Sequence, residues 1–218
     1  MRFPNAANGV KKLFTAEILS LISTVAMIIA ICLAVVAAAG SNAQNVTSGT
    51  VAAGMGTIIL VAAAAVLVII AGILALIGLI QASKDEVAFK TALIATIISL
   101  VAAVIMGIFS RYSVVQSICQ CITNIMSVVV TVFVIQGIIN LAGRLKEREI
   151  AAKGKTLMTI LIVIFALAFV ASLISAVFGG ALASTIAGII ALVALVLDLI
   201  GYIIYLTLLA KAKKMLAK

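Results

Sequence analysis

The sequence predicts an all-α membrane fold, a polytopic six-transmembrane-helix bundle made of three tandem helical hairpins, and three observations carry that prediction. Hydrophobic residues make up 66% of the 218-residue chain and charged residues 10%, against roughly one half and one quarter in a soluble domain. A chain of this size has too little interior to bury two thirds of its residues, so the surplus must face lipid. The apolar runs are continuous over about 20 residues or more rather than alternating with period two, which excludes a transmembrane β-barrel. Lysine and arginine, finally, gather in every second connection between those runs.

The first run, Leu13 to Ala39, ends in Ala37-Ala38-Ala39, a cleavage-like triplet. At about 27 residues it far exceeds the 7–15 of a signal-peptide core, so it reads as an uncleaved span. The next runs are Val51 to Ala82, Val87 to Ser110, Val114 to Leu141, Leu157 to Phe178 and Ala181 to Ala210. As helices the second and sixth reach about 45 Å, longer than the roughly 30 Å hydrocarbon layer, so they must tilt, kink or protrude. Gly54 and Gly56 mark a place where the second could break. The whole chain reads as one transmembrane domain.

Every basic residue except Arg111 lies before the first run, in the second or fourth connection, in the first turn of the third run (Lys90), or after the sixth run. By the positive-inside rule that side is cytosolic, which puts both termini inside, and the membrane is expected to be a bacterial plasma membrane. The net charge of +9 then reflects topology and attraction to anionic lipid headgroups at the cytosolic face. It does not point to nucleic acid, since arginines and aromatics are not interleaved.

Two internal similarities suggest that the hairpins repeat. Thr15, Ala16, Ile18, Ser20, Ile22 and Ser23 match Thr91, Ala92, Ile94, Thr96, Ile98 and Ser99 in register, and Thr156, just ahead of the fifth run, begins a weaker match. Near the ends of the even runs, Gly78, Gly137 and Gly201 sit in similar apolar surroundings. The Thr-to-Gly interval is 46 residues in the second hairpin, 45 in the third and 63 in the first, where a longer connection absorbs the excess. Two helices per unit preserve direction, so the repeat would be parallel, with a pseudo-three-fold axis along the membrane normal.

Asp198 is the costliest residue for such a fold. It lies 13 residues before Lys211, about 20 Å along the helix and near mid-membrane. An ionised carboxylate there costs about 2.5–3.5 kcal/mol on insertion scales. Its helical stripe includes Ala191, Ala194 and Gly201, small residues that let another helix come close. Gln116, Gln120, Asn124, Ser127 and Thr131 recur at steps of 4, 4, 3 and 4 on one face of the fourth helix. Two readings of these groups compete: an aqueous vestibule leading to a lone carboxylate, and hydrogen-bonding glue between helices. Glu17, in the first turn of the first span, is read as structural, stabilised by headgroup water and the helix dipole.

Enzyme chemistry is not expected, and neither is a cofactor. The chain has no histidine, no glycine-rich phosphate cradle and no second deep acid for an aspartyl dyad. Cys119 and Cys121 project about 200° apart on a helix, and without histidine they do not form a zinc site. The function class expected is binding or passage of a small cation or solute, by transporter or channel. The alternative is a non-catalytic scaffold or assembly subunit, partnered by a second copy or another membrane protein.

Overall fold

Each apolar run becomes one helix. The computed structural model describes residues 3–40, 48–109, 111–178 and 180–217. In chain order these contain α1 (Pro4–Gly40), α2 (Ser48–Ala82), α3 (Val87–Ile108), α4 (Ser113–Arg144), α5 (Arg148–Phe178) and α6 (Gly180–Ala217). There is no strand among the described residues, and all six helices are long and apolar enough to cross a membrane. Most of the first uncharged connection and Gly179 lie outside the described residues.

Several helices outrun their apolar stretches, and the reasons are local. α1 starts at Pro4 rather than Leu13, because proline in a first turn forfeits no intrahelical hydrogen bond. The Ala6 N–H, one of the first-turn donors without an intrahelical acceptor, donates to Asp85 Oδ2 at 2.7 Å. Asn5 Nδ2 donates to the other oxygen of the same carboxylate at 3.0 Å. Asp85 therefore caps α1 from 79 residues away.

α5 starts at Arg148 rather than Leu157 because the α4–α5 turn needs only three residues. The Glu147 N–H donates to the Ala142 carbonyl at 2.9 Å and the Lys146 N–H to Gly143 at 3.2 Å. Lys146 adopts φ 59°, the left-handed conformation in which helix C-termini favour glycine. A left-handed L-residue costs about 1–2 kcal/mol. Lys146→Gly should therefore raise stability by roughly 1 kcal/mol, and equilibrium unfolding in micelles would measure it.

The chain divides into two units, Met1–Val10 with Leu79–Lys218, and Lys11–Gly78. In the second of these, the buried Ser23 hydroxyl on α1 donates to the Ala64 carbonyl on α2 at 3.0 Å. Ala30, Ala64 and Ala71 are buried there, and a methyl on Gly56 would meet Leu33 at 4.0 Å. Such small side chains bring two helix backbones together.

In the larger unit α3 packs on α4 and α5 on α6, α4 also rests on α5, and α4 touches α6 only sparingly. Burial concentrates at the end carrying the lysine and arginine clusters, hereafter the basic end. Phe89, Ile135, Ile138, Leu141, Leu157, Leu208 and Leu209 are fully buried there. Toward the opposite end large apolar side chains such as Val104, Ile118, Ile125, Val163 and Leu192 are exposed, as lipid contact requires. Glycines set the closest approaches. A methyl on Gly137 would lie 2.7 Å from the Phe89 ring, and one on Gly154 would lie 2.5 Å from Ile139.

Candidate functional site

Hydroxyls in an apolar helix need acceptors, and most here use their own backbone. Thr24, Thr96, Thr123, Thr131 and Thr159 each donate to the carbonyl four residues earlier. This local satisfaction lets threonine enter an apolar span at small cost.

The polar face of α4 follows the same economy. Gln120 Nε2 donates to Asn124 Oδ1 at 3.0 Å, and the Thr131 hydroxyl donates to the Ser127 carbonyl at 3.1 Å. Gln120, Asn124 and Ser127 are exposed, while Gln116 and Thr131 are partly so. Continuing along this face in steps of 3, 4 and 3 gives Val134, Ile138 and Leu141, all buried. The face that is packed at the basic end is thus polar and open farther along the helix. Its opposite flank carries exposed Ile118 and Ile125.

Asp198 stands in a similar position on α6. Ala194 and Gly201, on either side of it along the stripe, are buried, and a methyl on Gly201 would meet Ile160 of α5 at 3.5 Å. Asp198 itself is exposed, on the flank that Leu209 and Leu216 fill at the basic end. Among the described residues no hydrogen bond or ion pair joins it to the α4 track or to any other group. The side chain of Ala191 lies outside the described residues, and Gly78 is buried on α2.

Sequence reasoning did not single out the polar cluster at the basic end. The α2–α3 turn, Ser83 to Glu86, ends in two adjacent acids that point to different helices. Asp85 holds α1, as described above. Glu86 is extended at φ −147° and precedes α3, but its side chain makes no capping bond. Instead Oε1 accepts from Asn140 Nδ2 at 2.9 Å, and Gln136 Nε2 in turn donates to Asn140 Oδ1 at 3.0 Å. Glu86 Oε2 lies 2.9 Å from Arg144 Nη2, with side-chain exposures of 5% for the acid and 55% for the base. That contact has ion-pair distance without hydrogen-bond alignment, since Oε2 is otherwise unsatisfied. Two neighbouring acids inside a lysine-flanked turn were the available sequence signal.

A second charged group joins α5 to α6, ahead of the apolar run of α5. Lys211 donates to Glu149, which also pairs with Lys153 at 3.3 Å. Hydrogen bonding to Lys211 first, and to Lys153 second, holds the Glu149 carboxyl below its ordinary range. The group is open to solvent, so the pairs add little stability. Glu147, Glu149, Ile150, Lys211, Lys214 and Met215 line a shallow surface pocket beside it. Among the described residues no group of three His, Cys, Asp or Glu side chains is placed to hold a metal.

No protein-family model matches this chain, and neither a characterised protein nor a solved structure is similar to it.

Proposed function

We propose that this multi-pass membrane protein binds a small cation or protonatable solute at Asp198 and lets it pass along the α4 face. One observation carries the reading. The polar residues of α4 and the carboxylate of α6 lie on faces that are packed at the basic end yet exposed at their own depth. On this reading the two faces bound a crevice closed at the basic end and open at the other. Water in it would hydrate Asp198 and lower the cost of its charge at mid-membrane. By the positive-inside rule the closed end is cytosolic, with both termini there. The three-hairpin repeat is part of this proposal: Ala75 and Val134 occupy the positions matching Asp198, so the carboxylate breaks the symmetry where a specialised site would.

In proteoliposomes, Asp198→Asn should cut pH-dependent cation flux by about tenfold or more while changing stability by less than about 0.5 kcal/mol. Wild-type vesicles without flux, together with a destabilised variant, would remove the transport reading.

A second reading, an assembly subunit, draws support from the Gln120–Asn124 and Thr131–Ser127 bonds. These bonds form within α4 without water, and the exposed amide groups they leave over favour association with another helix. Cross-linking of wild-type protein in native membranes separates the readings, since a subunit should be recovered with a fixed partner.

A further inference from the structure

We propose that the Asp85–Glu86 turn is a latch that shuts the basic end of the α4–α6 crevice, with the Glu86–Arg144 pair as its catch. This inference rests on the crevice reading above. The turn ties three elements together: Asp85 binds the start of α1 through Asn5 and Ala6, and Glu86 binds the end of α4 through Asn140 and Arg144. The residues that close the polar face, Val134, Ile138 and Leu141, belong to the last three turns of α4 before Arg144. In the latch, release of that helix end is what uncovers them.

The two partners of the catch are unequal, and this makes it releasable. Glu86 is buried, whereas more than half of the Arg144 side chain is exposed. Arg144 can swing into water with little loss of hydration, but the carboxylate it leaves cannot remain buried and half-paired. Glu86 sits at the end of a four-residue turn in which Lys84 is exposed and Ser83 and Asp85 are half-buried, so the turn must move outward to rehydrate it. The ion pair and the closed helix end are thus lost together, which gives two discrete states rather than a graded loosening. Gln81, in the last turn of α2, adds to the bias, because its buried Oε1 has no hydrogen-bond donor in the closed form.

The test uses the full chain in lipid nanodiscs, with Cys32, Cys119 and Cys121 replaced by alanine. Val134→Cys, at a site 1% exposed, reports opening through its reaction rate with a charged maleimide. Ala64→Cys, a fully buried site on α2, reports general unfolding. Arg144→Gln, which strands the buried carboxylate, should speed labelling at Val134→Cys by about a hundredfold and Glu86→Gln by about fivefold, and both should leave Ala64→Cys slow. Arg144→Lys, which keeps the charge, should restore slow labelling. Unchanged labelling at Val134→Cys in both glutamine variants would overturn the latch, and so would parallel acceleration at both reporters or failure of the lysine variant to restore protection. The readout does not depend on flux. Selective labelling in a protein without flux sinks the transport reading alone, and flux with unchanged labelling sinks the latch alone.

Discussion

Arg144→Ala should destabilise the protein by about 3 kcal/mol, the lower end of the range for removing one partner of a buried ion pair. The value is low because the arginine keeps half its surface in water and Asn140 stays on Glu86 Oε1. It is not negligible because Glu86, with 5% of its side chain exposed, would be left as a buried charge with one neutral donor. Glu86→Gln should cost less, about 1 kcal/mol, since the amide is neutral and still accepts from Asn140. The double variant should be more stable than Arg144→Ala alone, because removing the charge removes the need for its partner. A double-mutant cycle by equilibrium unfolding in micelles measures this coupling. A purely additive cycle would mean that the pair is only a surface contact, and the latch would lose its energetic basis.

Different parts of this arrangement were legible in the sequence for different physical reasons. The helices were legible because continuous apolar runs in a chain this greasy have only one way to satisfy their backbones. The face on α4 was legible because a helix converts steps of 3 and 4 into a stripe. Whether that stripe is open or packed depends on the neighbouring helices, and spacing says nothing about them. Hence Gln120 and Val134 share a face, yet one is exposed and the other is buried. The early start of α1 was not legible, since its cap comes from Asp85 in a distant turn. Arg144 was visible only as one of five basic residues between the fourth and fifth spans. A charge count yields an expected orientation but cannot tell which side chain reaches inward.

The same distinction separates the matched glycines, where sequence similarity conceals different packing. Gly137 meets the Phe89 ring edge-on: a methyl there would lie 2.7, 2.8 and 3.0 Å from Cε2, Cζ and Cδ2. Phe89 is fully buried and its ring is rigid, so it has no free end that could yield. Gly137→Ala should cost about 1–3 kcal/mol in overpacking, reduced by up to about 1 kcal/mol of helix propensity gained, and Gly137→Val should cost more. At Gly201 the nearest atom to an added methyl is Ile160 Cγ2 at 3.5 Å, an ordinary contact. Gly201→Ala should therefore be neutral or stabilising by up to about 1 kcal/mol. Phe89→Leu placed in the Gly137→Ala background should recover part of the loss, because the shorter side chain vacates the space that the methyl needs. Thermal unfolding of the four variants in one lipid–detergent mixture decides the matter. Equal effects at Gly137 and Gly201 would mean that both glycines serve backbone flexibility, whereas a large difference ties Gly137 to the seat of α3 on α4 directly beneath the Asp85–Glu86 turn.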